Sequence, residues 1–232
     1  MPRESKAARL KRTEAITAAL RQRYPDAHCA LVHRNPLQLL VATILSAQCT
    51  DARVNIVTTD LFKKYETAAD FAAADPDTFA QEIRSTGFYR NKSKNILAAA
   101  QRLVDDFGGK VPRTMDELLT LPGIARKSAN VLLGTAFGKT EGVVVDTHVI
   151  RVSGRLGLTR HKDPVKIERD LMALVPRPLW TDFSHTIVFH GRQCCTARKP
   201  DCAACPVSDL CPAAFTFDHN RRQTDRQTAR RK

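Results

Sequence analysis

An all-α fold is predicted by three features of the 232-residue sequence. Apolar residues recur at helical spacing, helix start and stop signals punctuate the chain from end to end, and alternating strand patterns bounded by hairpin turns are almost absent. Lys6 to Arg23 fits the first helix. Asn35-Pro36 then sets a capping residue before a proline at the first helical position and opens Leu37 to Ala47; Asp75-Pro76 and Asp163-Pro164 repeat the device. Ala52 to Tyr65, Asn91 to Phe107 and Pro178 to His190 fit further helices, with Gly108-Gly109 stopping the Asn91 to Phe107 segment. Val143-Val144-Val145 favours extended backbone. With no second strand to pair, it is read as an extended link ending at Asp146, whose side chain caps a helix through Val149, Ile150 and Val152.

With 43% apolar and 26% charged residues the chain has material for a packed core, which excludes a disordered polymer. Its length suits one large domain or two modest ones, and two are expected. The net charge of +13 and a pI near 9.8 point to a polyanionic partner. Residues 1 to 12 and 218 to 232 each net +4, leaving +5 between them. These tails are either solvated or in contact with phosphates, so a folded binding surface has to be argued from elsewhere. No apolar run approaches the roughly 18 residues of a membrane span or forms a signal-peptide core. A cytoplasmic protein without membrane association is expected.

Five of the seven cysteines crowd into Cys194 to Cys211, while Cys29 and Cys49 sit alone in apolar surroundings. That excludes a disulfide framework and points to metal binding. Cys195, Cys202, Cys205 and Cys211 give the spacing Cys-x6-Cys-x2-Cys-x5-Cys. Four thiolates suit either tetrahedral zinc or an iron–sulfur cluster. The compactness of the run suits a cluster, since zinc modules usually space two short pairs farther apart.

Thr114-Met115-Asp116-Glu117 is a capping-box pattern opening a short helix through Leu118 and Leu119. It runs into Leu121-Pro122-Gly123. A second helix follows, with Ile124, Ser128, Ala129, Leu132, Leu133 and Ala136 on one face. Such a corner is either ordinary helix packing or a phosphate grip, because glycine admits an anion to backbone N–H groups and the next helix start adds its dipole.

The run Leu121-Pro122-Gly123-Ile124-Ala125-Arg126-Lys127-Ser128-Ala129-Asn130-Val131 resembles the helix-hairpin-helix of the endonuclease III family. Val145-Asp146-Thr147-His148-Val149 resembles that family's catalytic segment. Leu45-Ser46-Ala47-Gln48-Cys49-Thr50-Asp51 and Thr86-Gly87-Phe88-Tyr89 resemble its two DNA-probing loops. Only the tails fall outside. Ala125 departs from the pattern, which usually has a second glycine there, and is expected to hold ordinary helical dihedrals. Phe88 departs where a smaller apolar residue is common.

The resemblance implies a helix-hairpin-helix DNA glycosylase fold. A multi-helix domain is expected over residues 29–139 with the hairpin at 114–137, an iron–sulfur domain over 1–28 and 140–212, and a basic, unstructured tail over 213–232. It implies a base-excision repair enzyme that acts as a monomer on double-stranded DNA, in the nucleoid if bacterial, removing oxidised or ring-saturated pyrimidines and cleaving the abasic strand. Lys127 is then the nucleophile and Asp146 its carboxylate partner, set in opposite domains with the DNA site between them. On the residues alone, a phosphate-binding lysine and a plain N-cap are equal readings. The implied cofactor is a [4Fe-4S] cluster on Cys195, Cys202, Cys205 and Cys211, pinning a cationic loop that carries Arg198 and Lys199 to phosphate; Cys194 stands outside the ligand set.

Gln48 and Phe88 are expected to fill the gap left by a flipped nucleotide, with core packing the competing reading for Phe88. Gly123, Ala125 and Arg126 are expected at the phosphate, and His148 either at the substrate or in a structural hydrogen bond. Two other functions stay open. One is a relative of the adenine-specific mismatch glycosylase, against which Lys127 counts; the other is a non-catalytic DNA-binding module, which would not cleave abasic sites.

Overall fold

A computed structural model describes residues 4–217. Eleven α-helices are described: α1 (Lys6–Arg23), α2 (Pro36–Leu45), α3 (Asp51–Lys64), α4 (Ala68–Ala72), α5 (Pro76–Glu82), α6 (Tyr89–Phe107), α7 (Met115–Leu119), α8 (Arg126–Phe137), α9 (Thr147–Arg155), α10 (Pro164–Met172) and α11 (Trp180–Gln193). Among the described residues there is no strand. The chain divides into two compact units, Cys29–Glu141 and the described residues on either side of it.

The Cys29–Glu141 unit is built around α2, whose residues from Leu39 to Leu45 are all buried, as a helix apolar on every side must be. Asn35 starts it, accepting a hydrogen bond from the Gln38 N–H at 2.9 Å, a cap worth about 1 kcal/mol. Asp75 caps α5 in the same way through Thr78. The sequence gives no periodic signal for α4, which is too short to show one. A capping box between Thr67 and Asp70 starts it, and Phe71 anchors it against Tyr65 and Phe79 with ring centroids 5.1 and 5.9 Å away. Three apolar residues of α6, Ile96, Ala99 and Leu103, complete this core, and Gly108 and Gly109 end the helix with left-handed backbone.

Several boundaries differ from expectation. Helix α2 stops at Leu45 rather than Ala47, because Gln48 takes left-handed backbone (φ 52°) and turns the chain. Helix α6 begins at Tyr89, just after Phe88 does the same (φ 49°). The capping box of α7 is half made: the Thr114 hydroxyl accepts from the Glu117 N–H and donates to the Glu117 carboxylate at 2.6 Å. Ile124 lies in the hairpin turn, not in α8, and is buried there beside Leu118 and Leu121.

The second unit packs α1 and α9 on α11 around Ile16, Leu20, Val149, Val152, Phe183 and Ile187, all fully buried. Arginines of α1 supplement that core: Arg9 donates to Leu158 O at 2.6 Å, and Arg12 donates to Leu156 O at 2.7 Å while pairing with Glu4. Val143 and Val145 are buried in an extended link whose Val144 N–H donates to Ser184 Oγ at 3.0 Å. Side-chain packing and one hydrogen bond thus replace the missing strand partner. Asp163 caps α10. Pro178 belongs to a single 3-10 turn, Arg177–Leu179, and α11 begins after it. Of the expected tail 213–232, residues 218–232 lie outside the described residues. Its first residues form a turn in which the Arg155 guanidinium sits 4.2 Å from the centre of the Phe217 ring.

Candidate functional site

The site residues expected from the sequence fall into four groups. The first is the hairpin. Leu118, Leu121 and Ile124 bury their side chains, which turns Gly123 outward to solvent. Gly123 has φ +80°, and a Cβ there would lie 2.9 Å from Asn95 Cβ, so backbone sterics and the close approach of α6 both demand glycine. Ala125 is the N-cap of α8 with extended backbone (φ −107°, ψ 171°), which corrects the expectation of helical dihedrals. The conformation carries no left-handed strain, so alanine serves there. Alanine supplies no capping oxygen, and α8 therefore begins without a side-chain cap, with the positive end of its dipole at this turn. Arg126 and Lys127 follow in the first turn, both exposed.

The second group is the pair of loops carrying Gln48 and Phe88. Both residues hold left-handed backbone and both side chains are exposed, Phe88 at 64%. That exposure removes core packing as a reading of Phe88. Left-handed backbone at a non-glycine residue costs on the order of 1–3 kcal/mol and persists where the surroundings impose it.

Asp146 opens the third group. It caps α9, with Oδ1 accepting from the Val149 N–H at 2.8 Å. The cap reading is therefore correct, yet a carboxylate has a second oxygen to offer. His148 is half-buried, and Arg151 Nη2 lies 3.1 Å from its Nδ1 while also donating to Gly191 O at 2.8 Å. Arginine has only donors, so an Arg151–His148 hydrogen bond requires a neutral ring whose Nδ1 is unprotonated. Burial pushes the His148 pKa down, opposed by Asp146 and assisted by Arg151, which favours that neutral form. At Gly191 a Cβ would meet His148 Nδ1 at 3.0 Å, so this glycine gives the ring its room.

The cysteines form the fourth group. Cys195, Cys202, Cys205 and Cys211 all line one recess, together with Cys194, His190 and Arg155. Burial pushes the Cys205 and Cys211 thiols up, as expected where thiols converge in an apolar recess and a bound cation would stabilise the thiolates. The closest set of potential ligand atoms is different: His190, Cys194 and Cys205 lie within 4.8 Å of one another. Cys194 nevertheless donates its thiol to Asp201 O and has its pKa pushed up to about 12, by burial first and by Cys205 next. Such a group remains a thiol. His190 is held at 3.2 Å by Tyr24 and has its own pKa lowered to about 4 by burial.

The cysteine loop is fastened by arginines that sequence reasoning missed. Arg155 donates to Thr196 O at 2.7 Å, Ala197 O at 2.9 Å and Cys195 Sγ at 3.3 Å, and Arg151 donates to Cys195 O at 3.2 Å. Arg198 and Lys199 stand exposed on this loop. Their carrier is closed by Thr196, which donates to Lys199 O at 2.6 Å. Arg151 and Arg155 recur one turn apart on α9, a hint of a shared partner on that face.

Residues 41–177 match the sequence model of the HhH-GPD superfamily of base excision DNA repair proteins, and residues 195–211 match the iron–sulfur binding domain of endonuclease III. Endonuclease III of Synechocystis sp. is 54% identical over 208 residues, spanning 90% of this chain and 95% of that protein. The chain belongs to the endonuclease III family. Two solved structures agree with it at a TM-score of 0.85: a non-covalent endonuclease III–DNA complex, 46% identical and covering 89% of this chain and 97% of that one, and a trapped endonuclease III–DNA covalent intermediate, 45% identical with the same coverage.

As an endonuclease III family member the protein is a base-excision repair enzyme, a DNA glycosylase with abasic-site lyase activity. DNA is its partner, and its cofactor is a [4Fe-4S] cluster, which the cavity of converging thiols fits. These relationships do not favour the adenine-specific mismatch reading. Among the described residues no helix is long and apolar enough to cross a membrane.

Proposed function

We propose that this protein removes oxidised or ring-saturated pyrimidines from duplex DNA and then cleaves the abasic strand, with Lys127 as nucleophile. The observation that carries this reading is the position of Lys127: exposed, in the first turn of a helix whose start has no side-chain cap. A DNA phosphate drawn to the N–H groups behind Gly123 and Ala125, and to Arg126, brings the adjacent sugar within reach of the amine.

The Lys127 nitrogen attacks C1′ as the C1′–N bond breaks, and the base leaves with the bonding electrons and takes up a proton. The sugar ring opens, giving a Schiff base between C1′ and Lys127. Loss of a proton from C2′ then expels the 3′ phosphate by β-elimination, and water releases the product and regenerates the amine. Asp146, oriented by Val149, stabilises the cationic sugar as the base departs. His148 offers its Nε2 proton to the substrate strand.

Gln48 and Phe88 enter the duplex where the nucleotide has left the stack, Gln48 hydrogen-bonding the orphaned base and Phe88 wedging beside it. Their imposed left-handed backbone and exposed side chains support this reading. Cys195, Cys202, Cys205 and Cys211 hold the cluster, whose part is to fix the loop from which Arg198 and Lys199 reach phosphate. Cys194, a buried thiol bonded to Asp201 O, is left out of the ligand set. The enzyme acts as a monomer on nucleoid DNA.

Duplexes each carrying one defined lesion test the substrate assignment. Excision of ring-saturated and oxidised pyrimidines is expected, and removal of undamaged mismatched adenine in their place would overturn it. Asp146→Asn is expected to slow base excision by about 100-fold, within the range of a lost electrostatic group, and to slow cleavage of a preformed abasic site much less. Equal slowing of both would contradict the assigned role.

A further inference from the structure

We propose that Lys92 is a positioning residue that clamps the two DNA-probing loops together from beneath. Lys92 lies in the first turn of α6 and is 4% exposed. Its ammonium donates to Leu45 O and to Thr86 O, each at 2.8 Å. Leu45 is the last residue of α2, three residues before Gln48, and Thr86 ends the 3-10 turn Arg84–Thr86, two residues before Phe88.

One buried cation thus ties the base of both loops. It does so at the carbonyl ends of two helical segments, where the backbone dipole favours positive charge and terminal carbonyls lack intrahelical partners. Among the described residues no carboxylate is hydrogen-bonded to it: its two acceptors are both backbone oxygens. An ammonium buried on backbone acceptors alone is an expensive way to fill space that a Leu or Met would fill. Burial accordingly lowers its pKa, with the Cys49 thiol opposing. What the cation provides in return is geometric. Gln48 and Phe88 hold strained left-handed backbone three and two residues after a clamped carbonyl, and a single ammonium sets the spacing between the two tips that must enter one gap in the duplex.

This inference rests on the proposed roles of Gln48 and Phe88. Lys92→Met removes the charge and both donors while keeping similar length; Lys92→Gln keeps a donor for one carbonyl and carries the same comparison if the Met variant does not fold. The readout is discrimination, the ratio of dissociation constants for an undamaged duplex and for the same duplex with a tetrahydrofuran abasic analogue, taken well below each variant's melting temperature. Lys92→Met is expected to lower this ratio about tenfold, or about 1.4 kcal/mol, with affinity for undamaged duplex kept and Lys92→Gln falling between. Phe88→Ala is expected to lower the ratio in the wild-type background and to add little in the Lys92→Met background.

A lysine that only supports the fold would lower the melting temperature and leave the ratio at its wild-type value. That result, or full additivity with Phe88→Ala, overturns the clamp. If Gln48→Ala and Phe88→Ala themselves leave the ratio unchanged, the reading of the loops is overturned, and the clamp with it.

Discussion

The two units secure their functional segments by opposite means. In Cys29–Glu141 the hairpin is rooted in apolar contact: Leu118, Leu121 and Ile124 are buried in the same core as α2 and the Phe71 and Phe79 rings. In the other unit the chain after Cys195 has a single 3-10 turn, Ser208–Leu210, as its regular structure among the described residues and one fully buried apolar side chain, Val207. It is held by arginine hydrogen bonds from α9 and by the convergence of its cysteines on one cavity. A segment that buries little apolar surface cannot offset its own conformational entropy, so the cluster does there what the core does for the hairpin. The helix of Lys127 should therefore outlast loss of the cofactor, while the loop of Arg198 and Lys199 should not.

The largest expected effect breaks that contrast open. Cys202→Ala should abolish the cluster, read as loss of the roughly four irons and four sulfides of a [4Fe-4S] centre. Hydrogen exchange should then show lost amide protection in residues 195–211, with protection in α2, α6 and α8 retained. Collapse of protection in both units would show that they are not independently held. Cys194→Ala should keep full iron content, and iron loss in that variant would show the ligand set to be wrong.

A smaller effect is expected from Gly123→Ala in the hairpin. The left-handed φ and the 2.9 Å approach to Asn95 Cβ together should cost about 1–3 kcal/mol, measured by denaturant unfolding. Because a phosphate grip does not read the base, affinity should fall equally for damaged and undamaged duplexes. A selective loss on damaged DNA would place the hairpin at the lesion instead.

The smallest change in stability, within about 0.5 kcal/mol, is expected from Phe88→Ala, since that ring is exposed. Its consequence should be selective: weaker binding to lesion duplexes and nearly unchanged binding to undamaged ones. Destabilisation without loss of selectivity would return Phe88 to a packing role.

Local signals were legible wherever the responsible atoms are close in sequence. Asn35-Pro36, Asp75-Pro76 and Asp163-Pro164 marked three helix starts because cap and first turn are adjacent residues. The Val143 to Val145 link was readable as extended because no partner strand existed. What stayed hidden depends on partners far along the chain. Lys92 meets Leu45 across 47 positions and Arg155 meets Thr196 across 41, and neither pairing leaves a periodic trace. One hint was present in α6, where a lysine shares the face of Ile96, Ala99 and Leu103 at helical spacing. Ala125 was misread because a motif fixes which residue stands at the turn, not whether that residue is the cap or the first helical position.

The central claim is that Lys127, at the start of α8, forms a covalent bond with the sugar, and borohydride trapping tests it most directly. Reduction of the Schiff base should leave wild-type protein permanently crosslinked to DNA containing an abasic site or an excisable lesion. Lys127→Ala should give no crosslink while remaining folded, retaining its iron and still binding an abasic-analogue duplex, because the backbone grip behind Gly123 does not need the amine. Undiminished trapping by Lys127→Ala, with the crosslink mapped to another amine, would contradict the account.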